Sequence, residues 1–121
     1  MSNPSGIALD SSRNLFVVDT ANNSVKKVSQ LGAVSLVAGL PWNPSADGFG
    51  SVARFWNPTA VAVDSDGNVF VADKGNHTIR KITPAGQVST FAGQAGTAGG
   101  EDGTGSSARF SYPYGIAIDA A

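Results

Sequence analysis

The stretch "ADKGNHTIRKI" at residues 72–82 repeats the character of "VDTANNSVKKV" at residues 18–28, fifty-four positions earlier. The apolar residues stay in step: Val18 with Ala72, Val25 with Ile79, Val28 with Ile82. Each copy places an Asn-containing turn between two short apolar segments. Asn tolerates positive φ, so it suits the tight turn that such a pair of segments needs. The sequence on either side shows that this is part of a longer internal repeat.

Working outward, "NPSGIALD" (3–10), "NPTAVAVD" (57–64) and "YPYGIAID" (112–119) align, with Pro4, Pro58 and Pro113 spaced 54 and 55 residues apart. "NLFVVD" (14–19) matches "NVFVAD" (68–73), and "SVKKVSQLGAVSLVAG" (24–39) matches "TIRKITPAGQVSTFAG" (78–93). "DGFGSVARFWNP" (47–58) matches "DGTGSSARFSYP" (102–113), and one extra residue near Glu101 accounts for the longer second period. The chain thus divides into repeat 1 (3–56), repeat 2 (57–111) and a partial repeat (112–121). Four short strands are expected per repeat, at 6–10, 15–19, 24–29 and 34–38, then at 60–64, 69–73, 78–83 and 88–92, with a further strand at 115–119. Val, Ile, Leu and Phe fill them, and Gly, Asn, Asp or Pro separate them. Short links make sequence neighbours antiparallel. Four-stranded antiparallel units at this period predict an all-β fold of propeller blades. No window holds a helical period.

Bulk properties narrow the partners. Eight Lys and Arg stand against nine Asp and Glu, so no net field favours nucleic acid or an anionic membrane. No apolar run reaches the ~18 residues of a spanning helix. Cys is absent, which excludes disulfides and thiolate chemistry. Residues 1–10 carry neither the basic nor the long apolar stretch of a secretory leader.

The ordered motifs P-x-G-I-A-x-D, G-N-V-F-V-A-D, N-H-T-I-R-K-I and V-S-T-F-A-G resemble the NHL repeat, and D-G-x-G-x-x-A-R-F is similar to the linker of many bacterial members. The resemblance implies a β-propeller of two blades plus one strand. A propeller needs roughly 4 to 8 blades. The partners expected are therefore the chain itself, with three copies closing a six-bladed ring, or the remaining blades of a longer propeller. A protein, peptide or glycan ligand is a further expected partner.

Hairpin geometry places the long links, 19–24, 39–57, 73–78 and 93–112, at one end of the blades. Long loops on a rigid scaffold are where binding concentrates. The binding candidates there are Trp42, Asn43, Phe49, Trp56, Lys74, His77 and Tyr112. Trp42 and Trp56 align with Gly96 and Ser111, and such unmatched aromatics can stack on a sugar or a peptide. Residues repeated in both copies are expected to hold the blades: Asp10, Asp19, Arg54, Phe55, Asp64, Asp73, Arg109, Phe110 and Asp119. Phe55 and Phe110 should pack between blades, with Arg54 and Arg109 bonded to an Asp or to loop carbonyls.

Catalysis is not expected, and neither is a metal or other cofactor. "DSDG" (64–67) has part of a calcium-loop pattern but runs straight into a strand, so it reads as a hairpin turn. His77 is the single histidine and aligns with Asn23, so no multi-histidine metal site can form. No G-x-S-x-G elbow is present. "NNS" and "NHT" are glycosylation sequons by pattern, and their matched positions suit turn chemistry. Lys26, Lys27, Arg80 and Lys81 form two basic pairs on the third strands. The long-loop end carries Asp19, Asp47, Asp73, Glu101 and Asp102 against Arg54, Lys74 and Arg109, a poor phosphate-binding surface. The reading is a non-catalytic binding or self-assembling scaffold. The alternatives are a catalytic propeller, as a lyase or hydrolase, and a fragment or engineered repeat without a ligand of its own.

Overall fold

The computed structural model describes residues 3–40, 46–111 and 113–119. Two antiparallel sheets follow one another along the chain. The first runs in the order β1 (Pro4–Leu9), β2 (Leu15–Asp19), β3 (Ser24–Val28) and β4 (Val34–Ala38). The second contains β5 (Gly48–Phe49), β6 (Ala60–Val63), β7 (Val69–Asp73), β8 (Thr78–Ile82) and β9 (Gln87–Gly93), in the order β5-β9-β8-β7-β6. Among the described residues the only helical pieces are single 3-10 turns at Thr20–Asn22, Gly50–Val52, Lys74–Asn76 and Gly105–Ser107.

The registers repeat as the sequences do. Val18 pairs with Val25 and Ala72 with Ile79, and both third-to-fourth strand pairs carry an irregularity at the same place, Val25/Lys26 and Ile79/Arg80. Asp10 closes the first hairpin by accepting from the Ser12 and Asn14 N–H groups, and Asp64 does the same for Asp66 and Asn68. Asn23 and His77 both take left-handed backbone geometry directly after their 3-10 turns. That turn aims the third strand back along the second.

Two expectations are corrected. The second sheet has five strands, because Gly48–Phe49 pairs with Val88 and Gln87 on the open edge of β9. Residues 113–119 form no strand, despite their strand-like sequence. They lie beside β6 as β6 lies beside β1: the Ser5 hydroxyl donates to the Thr59 carbonyl at 3.2 Å, and the Thr59 hydroxyl donates to the Tyr114 carbonyl at 2.7 Å. What they lack is a hairpin partner to complete a ladder.

The core lies between the sheets. Phe16, Val18, Val25 and Ala38 of the first face Val61, Val69, Val71, Ile82 and Val88 of the second, with Phe55 of the linker between them. Fully burying each such large side chain stabilises by about 1.5–3 kcal/mol. Gly39 admits Phe55: at φ 93° it has no Cβ, and one placed there would stand 2.8 Å from the Phe55 ring. Gly93 keeps the same relation to Phe110, at 3.1 Å.

Candidate ligand-binding site

At the long-loop end of the second blade, Trp56, Asn57, Lys74, Gly75, His77 and Gly96 line a cleft of about 520 Å³. Its walls are fixed by backbone bonds. The Trp56 N–H donates to Asp73 Oδ1 at 2.7 Å, and the Gly75 N–H donates to the Trp56 carbonyl at 2.8 Å. Asn57, left-handed at φ 55°, donates its N–H to Asn23 Oδ1 of the first blade at 2.7 Å. Gly75 is required by close approach, since a Cβ there would come within 2.6 Å of the Trp56 carbonyl oxygen and 2.7 Å of its ring. The indole therefore packs directly on the Gly75 backbone while the residue remains 48% exposed. Lys74 Nζ sits 5.3 Å from the centre of the Tyr114 ring, and His77 is buried in the cleft wall with its N–H bonded to the Lys74 carbonyl.

Behind the cleft lies an ionic knot, with Arg80 and Asp73 buried and Asp47 exposed at its edge. Arg80, fully buried, donates through Nη1 to Asp73 Oδ2 (3.0 Å) and the Arg54 carbonyl (2.7 Å), and through Nη2 to Asp47 Oδ1 (2.7 Å) and the Ala46 carbonyl (2.7 Å). Its guanidinium also stacks 5.2 Å over Phe55. Burial pushes the Asp73 carboxyl up. The Asn76 amide, the Trp56 N–H and Arg80 oppose that rise by favouring the ionised form. Arg80 is thus no surface cation, as its place in a basic pair suggested. It joins the linker to the second blade, and the sequence signal for this was Asp47 and Asp73 at fixed repeat positions.

Of the residues singled out from sequence, the structure brings Trp56, Lys74 and His77 together. Phe49 lies on β5 opposite Gln87, at the far end of β9 from the cleft. Trp42, Asn43 and Tyr112 lie outside the described residues. Arg54 donates to the carbonyls of Val52 and Ala53, and Arg109 to those of Ser106 and Ala108 and to Gln94 Oε1. Phe55 is fully buried and Phe110 half-buried. Asp19 is buried and accepts from the Asn22 amide, and Asp119 is exposed at the end of 113–119. Asn57 and Gly75 were not singled out. The alignment holds a faint signal for Gly75, which stands opposite Ala21. Among the described residues, no three His, Cys, Asp or Glu side chains converge where they could hold a metal ion.

Chemically, the cleft offers a flat indole face, an ammonium, an imidazole and an amide. That set stacks on rings and donates hydrogen bonds.

The family model for the NHL repeat matches residues 1–28 and 55–82. Teneurin-1 of Mus musculus is 32% identical over 92 residues, a match covering 64% of this chain and 3% of that protein. An auxiliary nutrient binding protein from Bacteroides thetaiotaomicron superposes with a TM-score of 0.82 at 26% identity, over 94% of this chain and 32% of that one. Virginiamycin B lyase from Staphylococcus aureus shares the fold, with a TM-score of 0.57 at 18% identity over 74% of this chain and 27% of its own. The chain therefore spans about 3% of the length of the curated relatives it matches and about a third or less of these solved structures.

Proposed function

We propose that this chain, a segment of an NHL-repeat β-propeller, is a non-catalytic binding module that captures a protein, peptide or glycan ligand at its long-loop end. One observation carries the reading: an exposed tryptophan is seated by backbone bonds in a cleft backed by a carboxylate and a guanidinium that are already engaged. Asp73 accepts from Trp56, Asn76 and Arg80, and Arg80 is divided among two carboxylates and two carbonyls. Groups committed in this way stabilise a scaffold and are poorly placed to shuttle protons. The likeness to a nutrient binding protein, at a TM-score of 0.82, fits the same reading.

The test is a screen of glycan and peptide arrays, followed by calorimetry with the best ligand. Trp56→Ala should weaken binding by about 1–3 kcal/mol, the loss of one stacked aromatic. Binding unchanged by Trp56→Ala would remove the cleft from the site. Turnover of a bound ligand that disappears in His77→Ala would overturn the non-catalytic reading.

A further inference from the structure

A second cavity, about 830 Å³, opens on the far face of the second blade, where Phe70, Ile79, Phe91 and Phe110 face Ile116 and Ile118. Phe70 and Phe91 stack edge to face, with centroids 5.1 Å apart, yet Phe91 remains 53% exposed. The repeat identifies what this groove is. Phe70, Ile79 and Phe110 stand where Phe16, Val25 and Phe55 stand one repeat earlier, and those three are buried between the two blades. The groove is one half of the interblade interface.

The other half is exposed on the first blade. Ile7 is 62% and Val34 53% exposed, whereas their repeat counterparts Val61 and Val88 are 6% and 1% exposed against the first sheet. The polar frame of the filled interface also recurs. Arg54 N–H donates to the Ala46 carbonyl at 2.9 Å and Arg109 N–H to the Glu101 carbonyl at 2.9 Å, so the second linker has the shape that receives Arg80 in the first. In that second seat Asp102 takes the place of Asp47 and is exposed. The first-blade counterpart of Arg80 is Lys26, a cation suited to Asp102.

We propose that a second copy of this chain docks its first blade into this groove, head to tail, with Lys26 of the incoming copy on Asp102. One position is contested. Residues 113–119 already hold the inner place beside β6, which an incoming β1 would also need. Gly115–Ile116–Ala117–Ile118–Asp119 differs from Gly6–Ile7–Ala8–Leu9–Asp10 only at Leu9/Ile118. The 113–119 segment therefore takes over the β1 register on β2 of the incoming copy, with Ile116 opposite Val17 and Ile118 opposite Leu15, so Ile116 fills the place of Ile7 in the docked half and the displaced β1 leaves the sheet. A heterologous contact of this kind closes into a ring when its rotation allows. Three copies, each of 12.2 kDa, make a six-bladed ring. The proposal deepens the assembly side of the function above and takes only the propeller geometry from it. A chain that binds its ligand as a monomer would sink the docking and leave ligand capture standing.

The test is light scattering behind a sizing column, across a wide concentration range, on the full chain. The expected result is a species of several chains, with three favoured. Val34→Arg and Phe91→Arg each charge one half of the interface at a position over half exposed in the single chain. Each should run as one chain, with an unchanged far-ultraviolet circular dichroism spectrum. Mixed in equal amounts they should form a two-chain species and nothing larger, because each keeps the half that the other has lost. Three results overturn the docking: a wild type of one chain at every concentration, self-association by either variant alone, or a mixture that stays at one chain. Assembly that survives deletion of residues 112–121 overturns the strand exchange.

Discussion

Both faces of the second blade carry apolar residues, and only one of them is filled. On the face toward the first blade, Val69, Val71, Ile82 and Val88 are buried and Arg80 is locked between two carboxylates. On the opposite face, Phe70, Ile79 and Phe91 line an open groove. The residues lining that groove are near copies of those that fill the first interface, on the same scaffold and at the same registers. What differs is the neighbour. Burial is therefore a property of blade pairs, as expected for a repeat protein whose units contact only adjacent units.

The sharpest way to break this comparison is to truncate the two linker phenylalanines in turn. Phe55→Ala should cost about 3–5 kcal/mol, because it removes a fully buried ring and leaves a cavity. Phe110→Ala, at half burial, should cost well under half of that in the single-chain protein, since its lost area is smaller. Urea denaturation at low protein concentration reads both, and equal losses would refute the claim that the two faces differ. Next comes the ionic knot. Arg80→Met should destabilise by about 3 kcal/mol, because it leaves Asp73 buried without its cation. The loss should grow as pH rises. With Arg80 gone, burial raises the Asp73 carboxyl further, so the folded state does best where the group is protonated and worsens as it ionises. Lys26→Met, at the unfilled counterpart, should change single-chain stability little. A Lys26 loss matching that of Arg80 would mean that the first blade's open face is already engaged.

A smaller effect tests the cleft. Gly75→Ala must push Trp56 from its seat, which should blue- or red-shift the indole emission and cost roughly 1 kcal/mol or more of stability through steric strain. Made in a Trp42→Phe background, the shift reports Trp56 alone. The equivalent position in the first repeat is Ala21, where a side chain is tolerated. An unshifted spectrum would show that the indole is not clamped.

Most of the strand plan was legible in the residues. Short runs of Val, Leu and Phe bounded by Gly, Asn or Asp placed β2, β4 and β7 to the residue, and the other long strands within a few residues of their ends. β5 was not legible, since two residues, Gly48 and Phe49, make no pattern. Their pairing is supplied by the unused edge of β9. The opposite error at 115–119 has the same origin, because strand propensity there is real but a ladder needs a neighbour. In the site, the mismatch of Trp56 with Ser111 was visible by alignment. The clamp was not, because Gly75 and Asn57 act through close approach and backbone geometry that no composition records. Arg80 was read as part of a charged pair because Lys81 follows it. Alternation along β8 puts the two on opposite faces, and only the blade packing shows which face is closed.

The smallest expected effect concerns what the two repeats share. The Asn68 amide donates to Asp64, joined by the N–H groups of Asn68 and Asp66, and together they hold this carboxyl below its usual 3.8. For Asp10, slight burial works in the raising direction and is outweighed by the Asn14 backbone and amide and the Ser12 N–H, so it too is lowered. A carboxyl with a lower pKa folded than unfolded stabilises the fold when ionised. That contribution is complete above the unfolded value and is lost as pH falls through the folded one. Asp64→Asn should flatten the acid limb of stability against pH slightly, and Asp10→Asn should flatten it by the same amount. Each turn closes a hairpin inside its own blade, and Asp64 and Asp66 also stand at the edge of the open groove, so equal effects would show that the groove leaves the turn chemistry untouched. A clear difference between the two variants would mean that the neighbour reaches into the blade itself, and the division between blade interior and blade pair would have to be redrawn.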